Sequence, residues 1–464
     1  MTVGSFAHSV RRIVPLAWPV FVGQVAVLAF ATIDTVLVAR HSATDLAALA
    51  VGSAAYIAIF IGLMGIVLAI SPIVGQLYGA KRPREAGQQL HQALWLALGL
   101  SVIGSAALAF PAPFLWLSRV NPDIASKVSG YLLALAFSLP ASLLFTVFRG
   151  FNTAVSRPKA VMVLQLAALA LKVPLSMALV GGVDSLGIPE LGVLGCGVAT
   201  LLTMWAQALA ALVVLRRDRF YAPFELGLRR LRPPHWPSLK ALLGLGLPIG
   251  MAVLIEVSAF SFMSIFIARL GETPVAGHQL AINLVSLMFM LPLGLANATS
   301  TLVAQSIGAG DLRDARRLCW HGWQLTVGLA LALGGAVYFA REPVLRLYTD
   351  NPAVIAAALP LLAWVALFHA ADAAQTLAAF VLRAWRIATV PMVIYAVALW
   401  GVGLGGGYVL AFDTLGLTPA ALHGAVGYWT ASTLGLVLAG AGLSLFLAWI
   451  IRRQPLATPT RRPR

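Results

Sequence analysis

The chain has 464 residues, 60% of them apolar and 10% charged, with a mean hydropathy of +0.89. Apolar runs recur without a polar face, which excludes a soluble core and describes a polytopic membrane protein. The net charge of +16 invites a nucleic-acid partner, but its distribution along the chain argues for lipid contacts instead, and no nucleic acid is expected.

Reading spans of about 20 to 28 residues predicts twelve transmembrane helices, near 13–39, 48–78, 90–117, 129–149, 160–181, 192–215, 241–268, 274–306, 319–340, 355–382, 388–412 and 427–451. Arg11 and Arg12 precede the first run as in a signal peptide, yet the run is too long for a cleaved segment and is read as a retained helix. The stretch Leu16 to Ala86 returns without a gap as Leu245 to Ala315. Identical residues include Pro19 with Pro248, Gly65 with Gly294, and Val74-x-Gln76-x-x-Gly79-Ala80 with Val303-x-Gln305-x-x-Gly308-Ala309. Clustered Gln and Gly matches of this kind are not expected from apolar composition alone and indicate a duplicated half.

Loops at 79–83, 156–158, 308–311 and 350–352 each stop a helix with Gly or Pro. The one long polar connection, Arg216 to Lys240 with Arg229, Arg230, Pro233, Pro234 and Pro237, divides six spans from six. The expected organisation is an all-α protein of two pseudosymmetric six-helix lobes, residues 1–220 and 241–464, joined by a cytoplasmic linker at 221–240. Pro19, Pro72, Pro140, Pro174, Pro248 and Pro292 lie inside spans, where they either open the backbone beside a pathway or act as packing kinks. With the N-terminus cytoplasmic, most of the 32 Lys and Arg fall in cytoplasmic segments, which places both termini in the cytosol. Trp116, Trp364, Trp400, Trp429 and Trp449 lie near the predicted borders and read as an aromatic belt. Cys196 and Cys319 have no His or Cys at ligand spacing and read as packing residues.

Of the 16 acids, Asp34, Glu256 and Asp372 fall within apolar spans. A carboxylate there costs about 2.5 to 3.5 kcal/mol on insertion scales, so three of them argue for a cavity and a use. An ion pair with Lys172, the one intramembrane base, accounts for one acid but not for three. Glu256 overlays Val27 in the repeat, and Asp34 lies two turns further along the same helix. His369 and Gln375 flank Asp372 at i−3 and i+3 and make a polar stripe. His369 reads either as a proton relay or as a hydrogen-bonded packing residue, and His278 is the weaker candidate. Taking helix midpoints near 26 and 170, Asp34 lies roughly 12 Å and Lys172 roughly 3 Å towards the outside, at about 1.5 Å per residue. An outward-reaching lysine either pairs with Asp34 or snorkels to the surface.

The segments Pro19 through Asp34-Thr35-Val36-Leu37, Thr44-Asp45-Leu46-Ala47-Ala48-Leu49-Ala50, Gly277-His278-Gln279-Leu280-Ala281-Ile282-Asn283 and Asp372-Ala373-Ala374-Gln375 resemble the multidrug and toxic compound extrusion (MATE) family in its NorM-like branch, and Glu190 to Gly197 adds to the likeness. The resemblance covers nearly the whole chain. It implies a monomeric multi-pass transporter of the bacterial inner membrane that exports cationic amphiphilic drugs in exchange for protons or sodium, with no other cofactor. It also implies that Asp34, Glu256 and Asp372 are the coupling carboxylates, beside which Lys172, Ser176, Asn283, His369 and Gln375 are read as supporting residues. In the fifth helix the NorM-like branch often carries two Asn where this chain has Lys172 and Ser176. An ammonium there would repel sodium from Asp34, which favours protons and leaves Glu256 with Asp372 as the pair that would hold sodium.

Two other readings are weaker. A lipid-linked precursor flippase would need basic residues in its cavity for a pyrophosphate. An intramembrane enzyme would need a nucleophile and base or a metal cluster. The sequence has no nucleotide-binding motif, so the energy is expected from an ion gradient.

Overall fold

The computed structural model describes residues 5–118, 121–183, 185, 187, 189–226 and 232–453. Arg229 and Arg230 of the expected linker, and Arg461, Arg462 and Arg464 of the basic C-terminus, lie outside them.

Helix starts follow local chemistry. The chain runs through α1 (Phe6–His41), α2 (Ala43–Val67), α3 (Ile70–Gly79), α4 (Pro83–Ala109), α5 (Ala112–Ser118), α6 (Pro122–Ala154), α7 (Pro158–Gly181) and α8 (Val193–Arg217). After it come α9 (Trp236–Ala268), α10 (Glu272–Gly308), α11 (Leu312–Phe339), α12 (Arg341–Arg346), α13 (Pro352–Leu361), α14 (Val365–Ala384), α15 (Thr389–Tyr395), a π-helix (Ala396–Gly406), α16 (Gly407–Phe412) and α17 (Ala425–Arg453). Proline occupies the first turn of α4, α6, α7 and α13, where its missing N–H costs nothing. Asn121 and Asn351 cap α6 and α13, accepting from Ile124 N and Ala353 N at 2.9 and 3.0 Å. Twelve helices or helix pairs among the described residues are long and apolar enough to cross a membrane, as the sequence predicts.

The duplication extends to the backbone. Lys81 and Gly310, equivalent in the repeat, both turn with positive φ, 59° and 76°. The halves differ where one proline differs. The chain breaks at Leu68 and Ala69 ahead of Pro72, whereas α10, with Thr301 in that place, runs unbroken. Helical structure is also continuous through Pro19, Pro140, Pro174, Pro248 and Pro292, so of the six span prolines only Pro72 adjoins an interruption.

Two compact units emerge, Val22–Gly250 and a second formed by Met1–Phe21 with Met251–Arg464. The crossings, after Phe21 and after Gly250, are equivalent positions of the repeat, each two residues beyond its proline, Pro19 or Pro248. The first part of α1 therefore belongs with the C-terminal half of the chain, and the first part of α9 with the N-terminal half. In the first unit α6 is buried along most of its length, and in the second α14 plays that part. The connection after α8 is partly folded: a 3-10 turn, Arg219–Phe224, buries Tyr221 and Phe224. The Tyr221 hydroxyl donates to Asn152, and Phe224 meets Phe151 edge-on at 5.2 Å.

Candidate functional site

The sequence-predicted acids fall into two clusters, one in each unit. In Val22–Gly250, α1 supplies Asp34, α7 supplies Lys172 and Ser176, and α8 supplies Thr200. The Lys172 ammonium lies 2.9 Å from Asp34 Oδ2 and donates to Thr200 Oγ1 at 2.6 Å. Ser176 Oγ donates to the other carboxylate oxygen at 3.4 Å, and Thr200 passes its own proton to the Cys196 carbonyl at 3.0 Å. The Phe30 ring adds a π face 5.8 Å from the ammonium. Lys172 is fully buried and Asp34 nearly so, which excludes the snorkelled alternative. The pairing and its two hydroxyl partners stand in for the water that burial removes.

The other unit brings together Glu256 from α9 with Asp372, Gln375 and Thr376 from α14. Gln375 Nε2 lies 2.8 Å from Glu256 Oε1, 2.9 Å from Asp372 Oδ1 and 3.1 Å from Thr376 Oγ1. One amide nitrogen therefore serves two carboxylates. The amide carbonyl is turned the other way and accepts from the hydroxyl of Tyr395, the last residue of α15. Asp372, Gln375 and Tyr395 are buried, whereas Glu256 is partly exposed. At the last turn of α14, Arg383 lies over Phe380 at 4.4 Å.

Other expected participants lie elsewhere. Asn283 is exposed and meets the Tyr348 hydroxyl at 3.4 Å, so it stands outside the carboxylate cluster. His369 is fully buried, and neither ring nitrogen has a hydrogen-bond partner among the described residues, so no bonded path leads from it to Asp372. His278 is bonded to Ser264 at 2.8 Å and to Trp429 at 3.2 Å, tying α9, α10 and α17 together. That bond also corrects the aromatic belt: Trp429 is 1% exposed and serves the interior. A further buried acid is Asp45, in the first turn of α2, which is bound by Lys127 at 2.5 Å and faces His41 at 3.3 Å.

Tyr395 and Thr200 were not singled out from sequence. A tyrosine in an apolar span needs a partner for its hydroxyl once buried, and that was the available signal for Tyr395. Thr200, one turn beyond Cys196, offered no signal distinct from ordinary packing. As a sodium site the acid pair fits poorly. A hard cation wants oxygen ligands, and an N–H donor stands where they would converge. Among the described residues no three His, Cys, Asp or Glu side chains are grouped to hold a metal ion.

Comparison with known proteins accounts for both halves. The MatE family profile matches twice, at residues 19–178 and 248–409, once in each repeat. The chain is 40% identical over 436 residues to the "Probable multidrug resistance protein NorM" of Aromatoleum aromaticum, covering 94% of this chain and 92% of that protein. It is 35% identical to the "Multidrug resistance protein PmpM" of Pseudomonas aeruginosa, covering 96% and 92%. Among solved structures, the eukaryotic MATE transporter AtDTX14 superposes with a TM-score of 0.83 at 16% identity, over 97% of both chains. An outward-facing multidrug resistance MATE transporter gives 0.85 at 19%, over 97% of both. With relatives this close over nearly their whole length and the profile present in each half, the chain belongs to the MatE family of membrane transporters.

Proposed function

We propose that this protein is a secondary antiporter of the bacterial inner membrane, both termini cytoplasmic, that exports cationic amphiphilic drugs in exchange for protons. The carrying observation is the pair Glu256 and Asp372, both bound to one amide nitrogen at 2.8 and 2.9 Å. Their facing oxygens are then no more than about 6 Å apart, within the range where two negative charges oppose each other. Such a pair is eased by one shared proton or by a cation, and exchange between these two is the elementary act of antiport. Glu256, the partly exposed member, meets an arriving cation first. Asp372 behind it shares the charge, and uptake of a proton by the pair weakens the hold on the drug.

The relatives' names, multidrug resistance proteins, support the substrate class. Lys172 supports the choice of coupling ion, because its ammonium already neutralises Asp34 and leaves no place there for sodium. The same pairing counts against a pyrophosphate carrier, since Lys172 is not free to hold an anion.

The test is transport of a fluorescent cation in inverted proteoliposomes with proton and sodium gradients imposed separately. A proton gradient alone is expected to drive it and a sodium gradient alone is not. Transport driven only by sodium overturns the choice of ion, and transport indifferent to both overturns antiport.

A further inference from the structure

The amide of Gln375 has two faces, one with an acceptor oxygen and one with two N–H donors. In this structure the donor face is turned to Glu256 and Asp372, and the acceptor face to Tyr395. Flipping the amide would set its oxygen beside the two carboxylates, giving three oxygens around one point. That is a cage for a hard monovalent cation, and in the observed orientation the cage is absent.

Tyr395 opposes the flip. It is 1% exposed, and Gln375 Oε1 is the acceptor the structure gives its hydroxyl proton. With the amide reversed, Tyr395 would face an NH2 group, and its own proton would lose that acceptor. Leaving such a buried donor unsatisfied disfavours the reversed amide by about tenfold. The backbone placing the hydroxyl is unusual: the π-helix Ala396–Gly406 begins at the next residue, and such segments often mark functional positions. Gly435 of α17 lets that helix pass close to the π-helix, since a Cβ there would meet the Ala398 carbonyl at 2.5 Å.

We infer that Tyr395 is a specificity-determining positioning residue: by holding the Gln375 amide with its N–H groups towards Glu256 and Asp372, it keeps the pair a proton site and excludes sodium. The inference rests on the proposed role of those two carboxylates in coupling.

Tyr395→Phe tests it, since only the hydroxyl is removed and the ring still fills its space. In proteoliposomes, efflux driven by a sodium gradient alone is expected to rise about tenfold over the wild-type background, the factor that one released hydrogen bond permits. Sodium alone should also slow unfolding of Tyr395→Phe by heat but not that of wild type, a readout that a merely structural tyrosine would not move. Gln375→Glu is the second variant: Tyr395 can bind one of its oxygens while the other faces the pair, so it too gains a sodium response, and it decides the matter should Tyr395→Phe not fold. Sodium indifference in the folded variants overturns the inference, as does a sodium-driven wild type. Glu256→Gln separates this failure from that of the coupling proposal. If it still exports against a gradient, the coupling reading fails. If it is inactive while Tyr395→Phe matches wild type in every respect, only the role of Tyr395 fails.

Discussion

The Lys172 ammonium and the Asp34 carboxylate meet at 2.9 Å inside Val22–Gly250, with Thr200 and Ser176 completing the contacts. A free cation at Asp34 would have to displace a lysine that is attached to the site. The two units thus treat their acids differently: one pairs its carboxylate with a fixed internal cation, and the other sets two carboxylates on one amide nitrogen. Under the proposed antiport, coupling therefore rests on Glu256 and Asp372.

Removing one partner of a buried pair leaves an uncompensated charge, worth about 3 to 5 kcal/mol. Lys172→Met is therefore expected to destabilise the protein by that order, unless Asp34 takes up a proton. Asp34→Asn should cost a similar amount, and the double variant no more than the worse single. Thermal unfolding of the four proteins in detergent measures the cycle, and additive losses would refute the pair.

Glu256→Gln and Asp372→Asn keep shape and hydrogen-bonding capacity while removing titration. Each is expected to abolish gradient-driven efflux while leaving insertion and folding intact. Transport assays beside size-exclusion profiles check this, and normal efflux by both variants would sink the carboxylate mechanism.

Much of this was readable in advance, because apolar length, the duplicated half and acids inside apolar windows are local properties of the chain. Depth arithmetic on two helices leaves Lys172 either paired with Asp34 or snorkelled to the surface, and only the structure decides for the pair. Tertiary choices were not readable. Trp429 sits in sequence where a belt tryptophan would, and only its bond to His278 turns it inward. Asn283 lies in a family-like segment, yet its side chain faces out. Nothing local announces that Tyr395, 20 positions from Gln375, supplies the amide's acceptor-side partner. The exchange of half-helices after Phe21 and Gly250 likewise depends on what packs against them rather than on their own residues.

The proposed orientation is tested by single-cysteine labelling in a background free of Cys196 and Cys319. Labels at Arg84 and Arg462 should be reached only from the cytosol, and labels at Asp123 and Asp350 only from outside. Swapped accessibility would overturn the orientation.

The folded start of the connection between the halves depends on Asp218, which accepts from Phe220 N at 2.9 Å and pairs with Arg157 at 2.5 Å. The Phe220 N–H first, and then Arg157, hold its carboxyl below the usual range. A depressed carboxylate contributes stability at pH values above its unfolded pKa and loses it as pH falls through the folded value. The Arg219–Phe224 turn should thus be intact at neutral pH and released only in acid, below the ordinary carboxylate range. Asp218→Asn should loosen it already at neutral pH. Limited proteolysis after Arg219 reads both effects, and equal cleavage of wild type and variant at neutral pH would count against the cap.

The exchanged half-helices are seated on equivalent glycines, and their tolerance differs in a way the spacing predicts. A Cβ on Gly65 of α2 would lie 2.5 Å from Gly250 Cα and 3.0 Å from Gly250 N, both backbone atoms of α9 that have nowhere to retreat. On Gly294 of α10, its repeat counterpart, the nearest atoms are the Ala17 carbonyl at 3.0 Å and Phe21 Cβ at 3.3 Å, a tight fit that a few tenths of an ångström relieve. Overpacking of well-packed interiors costs about 1 to 3 kcal/mol. Gly65→Ala is expected at the upper end, because α9 must move as a body, and Gly294→Ala at the lower end. A cysteine pair bridging α2 and the first part of α9 should also cross-link more slowly in Gly65→Ala than in its parent. Thermal unfolding together with cross-linking rate decides the matter: if Gly65→Ala is as stable as wild type and cross-links as fast, the first part of α9 is not held by this contact.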